Sequence, residues 1–597
     1  MKFLRPLFLL LFLACSTIGF AQLKLDAKKL DKKLAELQAL TKTVGFSVAI
    51  VHKDELIYAK GFGYRDLENK LKADENTLFA IGSSSKAFTT ALLGAMEAEG
   101  DFSFEDSPSD YLPDLKFYND ELNNQLKVLD MVSHRSGLPR HDFSWYLFPT
   151  QNRDSLLARV EFQEPFSGLR QNWYYNNFMF LAQGMIAEKI SGKSWEANIQ
   201  SDFFNPLEMK RSNLSISALE QDENASKGYG LDGDSKSKVL LYYDIAAMGP
   251  AGSINSSAKE MANWLKLWLN EGNYNDQQVL PAAYIRKAQN PLMLIGSGIS
   301  DPQFPDIHLA SYGYGWFIAS YKGHYRMEHG GNIDGFSANV CLFPEDDLGI
   351  VILCNQNGSS LPPLARNLIS DMLLDLNKTN WHDLHKERLD QAKKAEEETQ
   401  ENEAVTEIPG SSVHLPEEYQ GFYHHPGYGS FKVFTTNDSL FAKFPIEKAY
   451  LKPKFYDIFD LYFMEDDKVD IEAGSSLKLN FQTNNLGDIQ GVNIKFEPTL
   501  EALSFKRKPL DFELSPAELE TLVGAYHLSG ISIQVSVKDG VLMALVPGQP
   551  EYSLIPIADK EFRIEGLQGY KVKFEAQEEN MNMILMQPNG TFTAKRE

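Results

Sequence analysis

Ser83 and Lys86 stand three residues apart in a chain of 597 residues, and that pairing could do chemistry. A serine hydroxyl attacks a carbonyl only when a nearby base takes its proton, and a neutral lysine is such a base. The two lie in Ile81-Gly82-Ser83-Ser84-Ser85-Lys86-Ala87-Phe88-Thr89. Beyond Lys86 the apolar residues Phe88, Ala91, Leu92, Ala95 and Met96 recur at three- and four-residue steps until Gly100, which predicts an amphipathic helix with a glycine stop. Ser83 and Lys86 fall on its first turn. Residues three apart share a helix face, with Cβ atoms about 5–6 Å apart, whereas Ser84 and Ser85 project away from the lysine. Spacing therefore selects Ser83. Alone the signal is weak, because a serine before a helix usually serves only as its N-cap.

Two other stretches place polar groups at the end of an element, where sites are commonly built. Trp173-Tyr174-Tyr175-Asn176-Asn177 feeds an apolar helical segment from Phe178 to Gly192. Glu328-His329-Gly330-Gly331-Asn332-Ile333-Asp334-Gly335 enters a strand pattern.

The elements that must position these groups follow from periodicity. Leu30, Leu34, Leu37 and Leu40 predict a helix over 26–40, and Gly45 to Val51 and Leu56 to Tyr64 a hairpin. Residues 87–270 read as mostly helical. Strands return between Tyr312 and Cys354, the clearest pair being Gly335 to Phe343 and Leu348 to Cys354 about an acidic turn. A helix over 364–376 closes the unit. Helices around an antiparallel sheet whose strands come from both ends of the segment make an α+β fold.

A charged stretch, His382 to Glu403, and then Ile408-Pro409-Gly410-Ser411-Ser412 read as a solvated helix and linker over 377–412. Beyond it the chain repeats itself. Tyr419-Gln420-Gly421-Phe422-Tyr423-His424 matches Leu522-Val523-Gly524-Ala525-Tyr526-His527, and each copy carries about eight short strand patterns. Two small closed barrels, 413–508 and 511–597, are expected, with one larger β domain as the alternative.

The formal charge of −23 leaves no general basic surface, which argues against nucleic acid and anionic membranes as partners. Residues 1–21 have a signal-peptide layout: Lys2 and Arg5, the apolar run Leu7 to Leu13, and small residues ending at Ala21. Cleavage after Ala21 is expected. Cys15 raises a lipoprotein reading that Phe12 disfavours. No other stretch has the ~18 apolar residues of a membrane span. Cys341 and Cys354 sit in strand-like runs, where burial is the common state, although export would permit a bridge between them.

Taken in order, Ser83-x-x-Lys86, Tyr175-Asn176-Asn177 and His329-Gly330-Gly331 resemble the motifs of the serine β-lactamase-related family, over about 22–376. That family includes class C β-lactamases, penicillin-binding D,D-carboxypeptidases, D-aminopeptidases and related esterases. Ser133 to Pro139, Gly249 to Ile254 and Tyr312 to Trp316 look like it too. Tyr174-Tyr175-Asn176 also fits Tyr-x-Asn, but counting back from Gly184 and Ser191-Gly192 favours Tyr175 and Asn177.

The resemblance implies that Ser83 attacks a carbonyl to form an acyl-enzyme and that Lys86 and Tyr175 share the proton work, with either as base. It implies that Asn177 binds the substrate's amide, and that the backbone N–H groups of Ser83 and Asn332 form the oxyanion hole. Gly330 and Gly331 would let substrate approach the strand edge. His329 stands where many members carry lysine, which favours the peptidase and esterase branches over β-lactamases. The layout also resembles D-aminopeptidases of the family, in which a barrel loop shapes substrate access; by that analogy a turn within 413–597 lies near the pocket. The expectation is an exported, periplasmic or secreted serine hydrolase, with no metal or organic cofactor, acting on a small peptide-like amide or ester. The alternatives are an esterase or weak β-lactamase and, in another class, a penicillin-binding-like receptor without turnover.

Overall fold

The computed structural model describes residues 25–232, 236–241, 244–296, 308–405, 414–465, 467–469, 471, 475, 477–508, 514–567, 569–577 and 580–597. The expected signal segment, with Cys15 and Ala21, and the 408–412 linker lie outside them. The chain forms two compact units, one of residues 1–111, 127–134 and 179–397, the other of 112–126, 135–178 and 398–597.

The first unit is built on a nine-stranded antiparallel sheet. The N-terminal strand Gly45–His52 pairs with its hairpin partner Glu55–Asp66 on one side and with Leu348–Cys354 on the other, so the two ends of the segment meet in mid-sheet. Phe46, Val48 and Ile50 point to a core shared with Leu30, Leu34 and Leu37 of the helix Ala27–Thr41 and with Ala365 and Ile369 of the helix Leu361–Leu373. The latter begins three residues before the predicted start because Pro362 and Pro363 occupy its first turn, where no N–H is needed. The intervening Ala49 and Val51 are buried too, so both faces of the strand are covered. This is the α+β layering expected. Cys341 and Cys354 are buried and free.

Each tail repeat closes into an eight-stranded barrel. In the first, Gly421–His425 pairs with both Gly429–Thr436 and Leu503–Lys508, and pairing of Lys448–Phe455 with Ile458–Glu465 completes the ring. The second runs from Gly524–Leu528 to Gly590–Arg596, which pair with each other. The repeat is visible in detail: the Tyr423 hydroxyl donates to the Tyr419 carbonyl, and that of Tyr526 to Leu522. Both interiors are packed with side chains.

Residues 135–178, read in the sequence as part of the first domain, group with the barrels. The cause is packing: Leu147 and Phe148 belong to the core of the first barrel, against Tyr428, Phe444 and Phe505. Among the described residues, no helix is long and apolar enough to cross a membrane.

Candidate active site

Ser83 sits in a 3-10 turn, Gly82–Ser85, and Lys86 is the first residue of the α-helix Lys86–Glu99 that follows. Residues i and i+3 eclipse in a 3-10 turn, so the two side chains meet. Lys86 Nζ lies 3.1 Å from Ser83 Oγ and donates to the Ala251 carbonyl at 2.8 Å. The lysine is fully buried, 5.2 Å from the Phe180 ring centroid. Its helix ends on Gly100 at φ +90°, the stop the sequence predicted.

The two other serines hold the turn. Ser84 Oγ donates to the His329 carbonyl at 3.1 Å. Ser85 Oγ donates to the Gly82 carbonyl at 2.7 Å and accepts from the Ile254 N–H at 3.1 Å. Both are buried, whereas Ser83 is partly exposed. The stretch Gly249–Gly252 is a short helix whose carbonyls receive Lys86 and Thr89, the latter at 2.7 Å from Pro250.

Gly331, on the strand His324–Ile333, backs against this turn. A Cβ there would stand 1.9 Å from the Ile81 carbonyl oxygen and 3.2 Å from the Ser83 nitrogen. Its glycine is required by the turn itself. Gly330 has room, since the nearest atom to an added Cβ is 3.6 Å away. The neighbouring strand Trp316–Tyr321 pairs with this one only through Glu328, so 329–333 are paired on the far side alone. The Asn332 side chain is anchored, Oδ1 accepting from Ser337 Oγ at 2.9 Å and from the Gly358 N–H at 2.6 Å.

His329 is buried, and both its ring nitrogens have partners within the protein. Nδ1 donates to the Gly330 carbonyl at 2.6 Å, and that fixes Nε2 as the acceptor of the Tyr312 hydroxyl, 2.9 Å away. Burial, and secondly the Lys86 charge, pull its pKa down to about 3. The ring is neutral at ordinary pH and does not supply the cation that a lysine would.

Tyr175 and Asn177 belong to the second unit. There Arg140 lies over the Tyr175 ring, 4.9 Å from its centroid. Asn177 Nδ2 donates to Asp142 Oδ1 at 2.9 Å, and Asn176 Nδ2 to the Pro139 carbonyl at 2.6 Å. Tyr174 packs on Phe166. The residues 139–142 that hold this arm begin at the last residue of the Ser133–Pro139 stretch, but no spacing in the sequence singled out Arg140 or Asp142.

The Beta-lactamase family model matches residues 30–371, and a model described as a domain of unknown function, DUF3471, matches 408–507. The chain is 25% identical over 330 residues to Protein flp of Staphylococcus aureus (strain MW2), covering 54% of this chain and 62% of that one. The chain thus spans less than two thirds of that relative's length. It is 24% identical over 431 residues to the unguisins hydrolase ungD of Aspergillus violaceofuscus, covering 68% of this chain and 76% of that one. Among solved structures, the octameric penicillin-binding protein homologue from Pyrococcus abyssi is similar in fold, with a TM-score of 0.53 at 20% identity over 81% of this chain and all of that one. With the family model matching more than half of its residues, the chain belongs to the Beta-lactamase family.

Proposed function

We propose that this protein is an exported serine hydrolase that forms an acyl-enzyme on Ser83 and cleaves an amide or ester bond of a small peptide-like substrate. The observation that carries the reading is the buried Lys86 Nζ 3.1 Å from the Ser83 hydroxyl, within reach for proton transfer once the amine is neutral. Ser83 Oγ bonds to the substrate carbonyl carbon as its proton passes to the base, Lys86 or Tyr175. The oxyanion is held by the backbone N–H groups of Ser83 and Asn332. Collapse breaks the bond to the leaving group, which takes the proton. Water then attacks the acyl carbon, and Ser83 regains its hydrogen.

Asn177 binds the amide of the substrate. His329, neutral and internally bonded, keeps the strand in place, and the absence of a cation there supports the peptidase or esterase branches over carboxylate-bearing lactams. The hydrolase name of the fungal relative supports turnover over a receptor role. The signal-like layout of residues 1–21 supports export.

The experiment is intact-mass analysis after incubation with a fluorophosphonate, with Ser83→Ala as control, followed by turnover on D-aminoacyl amides, D-Ala-D-Ala peptides, p-nitrophenyl esters and cephalosporins. An adduct in the wild type and none in the variant is expected. Equal adducts in both would sink the nucleophile assignment, and cephalosporin turnover alone would move the protein to the β-lactamase branch.

A further inference from the structure

A carboxylate beside the first barrel holds the segment that carries the Tyr175 arm. Glu497, which follows the barrel strand Ile489–Ile494, is 5% exposed, and its Oε1 accepts the His141 backbone N–H at 2.6 Å. The His141 ring is clamped from the same barrel, Nδ1 lying 2.9 Å from the Tyr428 hydroxyl. Either side of His141, Arg140 and Asp142 form an ion pair at 2.6 Å. Both touch the arm: Arg140 lies over the Tyr175 ring, and Asp142 accepts from the Asn177 amide. Trp145 Nε1 donates to the same Asp142 oxygen at 3.0 Å, which fixes that carboxylate.

We propose that the first barrel is a positioning element for catalysis: Glu497 fixes the Arg140–His141 backbone, and through it Arg140 and Asp142 set the charge around Tyr175 and the orientation of Asn177. The inference rests on the function proposed above, since it needs Tyr175 and Asn177 to act in acyl transfer. A guanidinium over a phenol ring favours the phenolate, the form a base requires. Burial works against the Arg140 charge, but Asp142, Tyr175 and Glu497 together raise its pKa above the ordinary value. The arginine side chain is 47% exposed, so solvent screens part of this field.

The charged groups that act on Glu497 are Arg140 and Asp142. Burial pushes the Glu497 carboxyl up to about 7; the His141 N–H lowers it, Asp142 raises it, and Arg140 lowers it. His141 is drawn down to about 4, chiefly by burial, and Tyr428 is held well above its usual range, so both are neutral. Glu497 therefore holds the segment as a hydrogen-bond acceptor, a role that glutamine can fill and alanine cannot.

The test is the rate at which a fluorophosphonate phosphonylates Ser83, a step in which the Oγ–P bond forms, fluoride leaves and the base takes the proton. It is measured on the full chain from pH 5 to 9, per titrated active site, with melting followed by circular dichroism. Arg140→Gln is expected to move the acidic limb of the profile up by about one pH unit, and Arg140→Lys to restore most of it. Glu497→Ala is expected to slow labelling by about tenfold, with Glu497→Gln within about threefold of wild type. Lys448→Ala, which breaks an exposed barrel ion pair, serves as the unaffected control. An unmoved limb in Arg140→Gln, or labelling rates that ignore Glu497→Ala while its melting temperature falls, overturns the inference. If Glu497→Ala does not fold, the Arg140 pair decides. A wild type that takes no label, or that Ser83→Ala matches, brings down the proposed function and this inference together; a labelled wild type with an unmoved limb overturns this inference alone.

Discussion

The Ile81 carbonyl oxygen would stand 1.9 Å from a Cβ on Gly331, so the serine turn and the strand behind it meet backbone to backbone. Neither can retreat without moving Ser83. Gly331→Ala is expected to slow fluorophosphonate labelling by about 100-fold and to destabilise the fold by about 1–3 kcal/mol, as overpacking does. Gly330→Ala, with its nearest neighbour 3.6 Å away, should label within about twofold of wild type. Equal tolerance at both positions would contradict the close approach.

The three serines should separate cleanly by readout. Ser83→Ala is expected to abolish labelling, by about 10³-fold or more, at an unchanged melting temperature. Ser85→Ala leaves the buried Ile254 N–H without its acceptor, which costs about 1–3 kcal/mol, yet Ser83 remains to be labelled. Residual labelling in Ser83→Ala, located by peptide mapping to Ser84 or Ser85, would reassign the nucleophile.

His329 makes stability depend on acid. Folded, its pKa lies at about 3 against an ordinary 6.5, so between these values the unfolded chain takes up a proton that the native one refuses. The contribution of neutral His329 is complete above pH 6.5 and is lost as pH falls toward 3, at up to about 1.4 kcal/mol per unit. His329→Gln is therefore expected to show an acid loss about 2 kcal/mol smaller at pH 5, read from urea unfolding at pH 5 and 7. Parallel losses in both proteins would mean that the imidazole is protonated in the native state.

Phe148 ties residues 135–178 to the first barrel, its ring packing on Tyr428, Phe444 and Phe505. Phe148→Ala should destabilise by about 3–5 kcal/mol. A chain ending at 405 would strip the partners from Leu147 and Phe148, and is expected to be poorly soluble and slow to label. A folded fragment with native labelling kinetics would show that this segment does not need the barrel.

The local elements were legible because short-range periodicity is written directly into the chain. The three-residue step chose Ser83 and placed it against Lys86, where the structure puts them 3.1 Å apart. Gly100 ended the helix where predicted, and the 419–424 and 522–527 repeat announced two barrels, whose closure the pairings show. The order of three motifs pointed to the family that the comparisons establish.

What the sequence alone determined, then, is which residues carry reactive groups and which short segments turn, coil or extend, since these depend on neighbours a few positions away. Contacts between segments far apart in the chain were settled only by tertiary packing. Gly331 is required because Ile81, 250 positions earlier, backs onto it, and no local pattern carries that distance. The neutrality of His329 follows from burial and from Tyr312, not from its reference pKa. Glu497 reads as one more surface acid in an acidic chain, and it becomes the support of Arg140 and His141 only because the barrel closes around Phe148 and brings it there.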